Sequence, residues 1–142
     1  IDLYSRKVVG WSMSSRMKAS LVCDALTMAI WQRQPKKGLI VHSDQGVQYA
    51  SNAYRRLIKT HGFIGSMSKK GCCWDNAVAE SFFGSLKQER VHWRNYPTRF
   101  SAQQDILNYI TMWYNSHRLH SYLDYQSPND FERQNNELQK VA

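Results

Sequence analysis

Leu39-Ile40-Val41-His42-Ser43-Asp44 is a short aliphatic run that empties into a polar word continuing through Gln45 and Gly46. Three consecutive apolar residues set off by Gly38 predict a strand buried on both faces, as in α/β sheets. Asp44 then lies just past the end of a central strand, and in open α/β sheets ligands and metals gather at such carboxyl ends.

Downstream, Ser51 or Asn52 can cap a helix reaching about His61, with Tyr54, Leu57 and Ile58 as its buried side and Gly62 as its stop. Phe63-Ile64-Gly65-Ser66-Met67 reads as a second short strand. A loop follows, Ser68-Lys69-Lys70-Gly71-Cys72-Cys73-Trp74, combining basic residues, glycine and an aromatic side chain. It leads into Asp75-Asn76-Ala77-Val78-Ala79-Glu80-Ser81-Phe82-Phe83-Gly84-Ser85-Leu86-Lys87-Gln88-Glu89, which has helical periodicity. Asp75 is its N-cap, Ala77, Val78, Phe82, Phe83 and Leu86 are its apolar positions, and Asn76, Glu80 and Lys87 share another stripe. One carboxylate and one cation therefore project from the same side of this helix.

Upstream, residues 18 to 34 predict a helix with Leu21, Val22, Ala25, Met28 and Ala29 on one face, ended by Pro35. Residues 1 to 13 read as a hairpin turning at Tyr4 to Lys7, with Asp2 and Arg6 placed to pair across it. Beyond Glu89, a connection through Trp93, Tyr96 and Pro97 precedes a helix over about 102 to 116, built on Ile106, Leu107, Ile110, Trp113 and Tyr114. The aromatic residues of this region read as core and lid packing. Ser127-Pro128 starts a last short helix anchored by Phe131, and a polar, frayed tail is expected from Glu132 onward.

A chain of 142 residues suits one domain with a single core. No apolar run is long enough to cross a bilayer, and the opening residues lack the apolar centre of a signal peptide, so cytoplasmic residence is the default expectation. Nineteen Lys and Arg against eleven Asp and Glu give a formal charge of +8, which favours a polyanionic partner such as nucleic acid. Cys23, Cys72 and Cys73 suggest no disulfide framework, and neither they nor the histidines form a paired zinc-ligand set.

Asp44 and Glu80 are separated by one helix, one strand and one loop, enough to return the chain to the same edge of the sheet. Two carboxylates converging in a basic protein would repel unless a cation lay between them, and carboxylate oxygens favour magnesium or manganese. Two such ions can hold the attacking and leaving oxygens of an in-line displacement at a phosphodiester. Solvated or salt-bridged acids are the commoner reading of spacing alone, so the words around each acid decide.

Those words are His42-Ser43-Asp44-Gln45-Gly46-x-Gln48-Tyr49, then Ser68-x-Lys70-Gly71, then Asp75-Asn76-Ala77-x-x-Glu80-Ser81-Phe82-Phe83-x-x-Leu86-Lys87-x-Glu89. With Tyr114-Asn115-x-x-Arg118-x-His120-x-x-Leu123-x-Tyr125-x-Ser127-Pro128-x-x-Phe131, they resemble the catalytic domain of bacterial DDE transposases of the insertion sequence three family. The resemblance runs from Ile1 to about Glu132. It implies an integrase core with the ribonuclease H-like fold, a central mixed sheet flanked by helices, over residues 1 to 132, with residues 133 to 142 as the polar tail.

The resemblance makes Asp44 and Glu80 the second and last acids of a metal-binding catalytic triad served by two Mg2+ or Mn2+ ions. Lys87 becomes a contact to transposon-end DNA rather than an exposed helical lysine paired with a neighbouring acid. Asn76 and the Lys69-Lys70 loop are further DNA-contact candidates, beside the plainer readings of a helix cap and a solvated turn. The implied partners are transposon ends, target DNA and a second copy of the chain on DNA, in a bacterial, nucleoid-associated setting. One departure stands out. The first catalytic Asp, in a Thr-Asp-Ile-Thr type of word on the family's first strand, is absent, and Asp2 matches a different word near the end of the second strand. The expectation is therefore an N-terminally truncated core, missing its first strand and inactive alone in DNA cleavage and strand transfer. The alternatives are a non-catalytic DNA-binding transposase remnant and a structure-specific nuclease of the same fold.

Overall fold

The computed structural model describes residues 1–69 and 76–141, with side chains through residue 137. The chain forms two compact units, Val9–Ala77 and Ile1–Val8 together with Val78–Ala142.

In the unit Val9–Ala77, helix α1 (Ala19–Arg33), strand β1 (Ile40–Ser43), helix α2 (Asn52–Thr60) and strand β2 (Ile64–Met67) follow one another. The two strands are parallel, with Ile40 opposite Ile64 and Ser43 opposite Met67. Among the described residues this two-stranded parallel sheet replaces the expected central mixed sheet. With a single partner, β1 is not buried on both faces, and Leu39 and Ile40 are 45% and 64% exposed. The core lies on one side, where Tyr54, Ile58 and Phe63 pack with Val22, Cys23, Leu26, Ile30, Val41 and Tyr49. Ser51 caps α2 by accepting the Tyr54 amide at 3.2 Å, satisfying one donor of the first turn. Gly62, at φ +69°, allows the chain to turn directly into β2. Helix α1 runs past Gly10, where a Cβ would collide with the Ala25 carbonyl oxygen.

The expected hairpin at the start does not form. Among the described residues no strand is assigned between 1 and 13, and only the turn remains, with the Asp2 amide donating to the Lys7 carbonyl at 2.9 Å. The reason is visible at Val8, whose amide donates to Asn115 Oδ1 at 2.9 Å while its carbonyl accepts from Asn115 Nδ2 at 3.0 Å. A side-chain amide takes the hydrogen bonds that a ladder would need.

The other unit contains helix α3 (Ala77–Glu89), helix α4 (Arg99–Asn108) and helix α5 (Pro128–Val141). Thr98 and Ser101 form a reciprocal capping box at the start of α4, three residues earlier than the apolar periodicity predicts. Over Tyr109–Tyr114 the helix widens to π geometry, in which residues five apart come into line. Tyr109, Ile110 and Tyr114, each 3% exposed, thereby share the core side. Helix α5 is not short. Ser127 caps it through the Asp130 amide at 3.2 Å, and it continues to Val141 where a frayed tail is expected. Trp93 is 82% exposed and Trp113 50%, so neither is the core packing that aromatic content suggests.

Candidate functional site

Asp44 directly follows β1, as the sequence predicts, and is exposed. Its Oδ1 accepts the Gly46 amide at 2.8 Å, a local turn that holds the carboxylate at the strand end. A Cβ on Gly46 would lie 2.8 Å from that same oxygen, so glycine keeps the turn open. Burial pushes the Tyr49 hydroxyl up in pKa and the negative charge of Asp44 adds to the effect, which marks Asp44 as the local source of field.

Ser68, 6% exposed, joins the elements around this strand end. Its amide donates to the Ser43 carbonyl at 2.9 Å, and its own carbonyl accepts Gln45 Nε2 at 3.1 Å. Asn76 Nδ2 donates to Ser68 Oγ at 3.5 Å, which gives Asn76 a tether to the end of β2. In the sequence Ser68 belongs to a loop and to a family word, and no periodicity signals its role as a junction. Lys69 is exposed beside it. Lys70 and Asp75, with Cys72, Cys73 and Trp74, lie outside the described residues.

In the other unit, α3 buries Phe82 and Leu86, four residues apart, and exposes Glu80 and Lys87 on the stripe that the sequence defines. Phe83, expected on the buried side, is 55% exposed, although its ring meets Phe82 edge-on at 5.2 Å. Neither the Glu80 nor the Lys87 side chain takes a hydrogen bond or ion pair among the described residues. The C-terminal half of α3 is the reverse case. Glu89 accepts from Tyr109 Oη at 2.7 Å and from Arg118 Nε at 2.9 Å, and Arg118 also donates to Ser85 Oγ at 2.9 Å. Burial pushes the Glu89 carboxyl up, but the bonds from Tyr109 and Arg118 and the guanidinium charge outweigh it and hold the group below its ordinary value. The Phe82 ring meets Tyr114 edge-on at 4.9 Å, so α3 is clamped by packing as well.

The donor chemistry suits a hard divalent ion: both acids are carboxylates, Glu80 has no protein partner among the described residues, and Asp44 commits only Oδ1. Among the described residues no three of His, Cys, Asp and Glu gather; Asp44 belongs to the unit Val9–Ala77 and Glu80 to the other. A depression of about 560 Å³ lined by Arg94, Tyr96, Phe100 and Asp105 involves neither of them.

Comparison with known proteins gives two family matches, both described as Integrase core domain, one over residues 1–73 and one over residues 80–135. The chain is 50% identical over 135 residues to "Transposase InsF for insertion sequence IS3A" of Escherichia coli (strain K12), covering 95% of this chain and 47% of that protein. It is likewise 50% identical over 135 residues to "Transposase for insertion sequence element IS904" of Lactococcus lactis subsp. lactis (strain IL1403), covering 95% of this chain and 53% of the relative. The chain thus spans about half the length of the curated relatives it matches.

Proposed function

The chain belongs to the integrase core domain family, among the transposases of the insertion sequence three family, and from that premise we propose that it supplies acids and DNA contacts for metal-dependent cleavage and strand transfer in DNA transposition. The observation that carries this reading is the contrast on α3: Glu80 and Lys87 stand exposed and unpartnered among the described residues, on a helix otherwise anchored by Glu89, Ser85 and Phe82. A helix held this firmly presents its free stripe in a fixed geometry, and positioning is most of what phosphoryl transfer requires.

In this reading Asp44 and Glu80 are two of three carboxylates of a ribonuclease H-like core and the ligands of Mg2+ or Mn2+. Two such ions, when bound, would polarise the phosphodiester and balance charge on the attacking and leaving oxygens. Lys87 meets a phosphate of the transposon end, Lys69 and Asn76 meet DNA beside β2, and Lys70, outside the described residues, is a further DNA contact. The partners are transposon ends, target DNA and a second copy of the chain on DNA. The proposed setting is the bacterial cytoplasm, associated with the nucleoid; no helix among the described residues is long and apolar enough to cross a membrane.

The Thr-Asp-Ile-Thr type of word that carries the first acid is absent from these 142 residues, so the chain alone is proposed to join no strands. A strand-transfer assay with magnesium tests this directly: robust joining by the chain alone, abolished in Glu80→Gln, would refute the deficit. Manganese titration followed by paramagnetic broadening tests the acids, with broadening expected at Asp44 and Glu80 and lost in Asp44→Asn and Glu80→Gln. Broadening that ignores both substitutions would sink the metal assignment and favour the non-catalytic DNA-binding remnant.

A further inference from the structure

The charge of the chain is unevenly divided. Residues 9–77 hold ten Lys and Arg against three Asp and Glu, a net +7, while the remaining residues hold nine against eight, a net +1. Five ion pairs, Lys7–Glu132, Arg90–Asp105, Arg94–Asp105, Arg118–Glu89 and Arg133–Asp130, offset charge in the other unit.

Within the basic unit the cations concentrate on α2. Its sequence, Asn52-Ala53-Tyr54-Arg55-Arg56-Leu57-Ile58-Lys59-Thr60, contains no acid. At 100° per residue, Arg55, Arg56 and Lys59 fall within an arc of about 100°, opposite buried Tyr54 and Ile58. All three are exposed, and none of their side chains has a hydrogen bond or ion pair among the described residues. Like charges three and four residues apart destabilise an isolated helix, so this stripe is unfavourable for α2 itself and becomes favourable only opposite an anion. Lys37 extends the stripe: its side chain lies across Gly62, just past the end of α2, where an added Cβ would meet Lys37 Cγ at 3.0 Å. The Gly38 amide bonds the Gly62 carbonyl at 2.8 Å, fixing this lysine-bearing turn to the end of the helix. Parallel pairing of Ile40 with Ile64 puts this turn at the end of the sheet away from Asp44, so the stripe leads away from the acid along the helix.

We propose that Arg55, Arg56, Lys59 and Lys37 form a track for the phosphate backbone of duplex DNA, contacting it independently of base sequence and apart from the acids. The proposal rests on the reading of this chain as a DNA-acting transposase core and extends it to a face for which no role has been assigned. A nine-residue helix is about 13 Å long. One strand of duplex advances about 3.4 Å per phosphate, so the helix faces about four of them, a span within reach of its three cations and the adjoining Lys37. Charge without carboxylate or aromatic neighbours on the stripe fits phosphates rather than bases.

The test is the salt dependence of binding by the 142-residue chain to a fluorescein-labelled duplex, read by anisotropy between about 0.05 and 0.2 M salt. Removing three phosphate contacts in Arg55→Gln/Arg56→Gln/Lys59→Gln lowers the slope of log K against log salt by about 2.7, a loss of about 100-fold at 0.15 M. The loss is expected to be equal on a transposon-end duplex and on a scrambled one. Each single substitution removes about 0.9 from the slope, and the charge-keeping Arg55→Lys/Arg56→Lys variant retains it, which separates lost contacts from lost folding. An unchanged slope in the triple variant, or a loss confined to one sequence, overturns the track while leaving the proposed function standing. Failure of the unsubstituted chain to bind duplex at any of these salts overturns both.

Discussion

Replacing Asn115 by alanine removes a side chain that behaves as a piece of backbone. Asn115 is 6% exposed and Val8 3%, and the amide both accepts from the Val8 N–H at 2.9 Å and donates to the Val8 carbonyl at 3.0 Å. Alanine leaves two buried main-chain groups without partners. Each costs about 1 to 3 kcal/mol, so the expected loss is about 3 kcal/mol after partial relaxation. Unfolding entropy near 2.1 cal/mol/K per residue gives about 0.3 kcal/mol/K for a chain of this length, so Tm falls by about 10 °C. Urea titration with calorimetry on the same preparations reads both quantities. Asn115→Asp sharpens the test, because a carboxylate keeps the acceptor for the Val8 amide but sets negative charge against the Val8 carbonyl. It is expected to destabilise at least as much as alanine. A cost below about 1 kcal/mol for Asn115→Ala, or a neutral Asn115→Asp, would refute the clamp and with it the account of why residues 1 to 13 make no hairpin.

The Glu89 carboxyl sits below its ordinary value of 4.5, so its contribution to stability is complete above that pH and is lost as pH falls through the lower folded-state value. Arg118→Met should therefore move the acid-unfolding midpoint to higher pH, and an unmoved midpoint would show that the Arg118 bond carries no stability. His120 is held below its ordinary 6.5, by burial first and then by the charges of Arg118 and Arg6. Because the unfolded chain takes that proton first, stability drops as pH falls below about 6.5, and His120→Gln should flatten the change in urea midpoint between neutral and mildly acid pH. Two glycines should behave oppositely. Gly10→Ala drives a methyl into the Ala25 carbonyl and should cost about 3 kcal/mol, whereas Gly84→Ala meets nothing within 4 Å and should stabilise α3 by about 0.5 to 1 kcal/mol, both read by thermal unfolding.

The boundaries of α1, α2, β1, β2 and α3 follow the sequence because each is set locally: the Ser51 cap, the Gly62 turn, and apolar spacing along α1 and α3. What the spacing does not carry is the identity of the opposing surface. Ile40 has the chemistry of a central strand and Phe83 that of a buried helix face, but each is exposed, since among the described residues β1 pairs with β2 alone and the core side of α3 is filled by Phe82 and Leu86. On α1 the core cluster takes Val22 from the stripe that periodicity selects and adds Cys23, Leu26 and Ile30, while Ala25 and Ala29 of that stripe face Gly10. The widening at Tyr109–Tyr114 has no signal in apolar spacing at 3.6 residues, which reads through it as one continuous helix.

The family words themselves divide into two physical kinds once partners are known. Asn115, Arg118 and Ser127 spend their polar atoms inside the chain, on Val8, on Glu89 and Ser85, and on Asp130. Tyr114 and Leu123 are buried. These residues build the frame, and substituting them should appear first in stability. Glu80 and Lys87 spend nothing inside the chain among the described residues, and Asp44 spends one oxygen on its own turn. Substituting them should leave stability nearly unchanged, because exposed and unpaired charges contribute little to folding. A sequence motif gives equal weight to both kinds, since periodicity and word order carry no information about who bonds whom. Hydrogen bonds and burial separate the two kinds, and on that basis the exposed stripe of Glu80 and Lys87 is where the proposed metal and DNA contacts are to be tested.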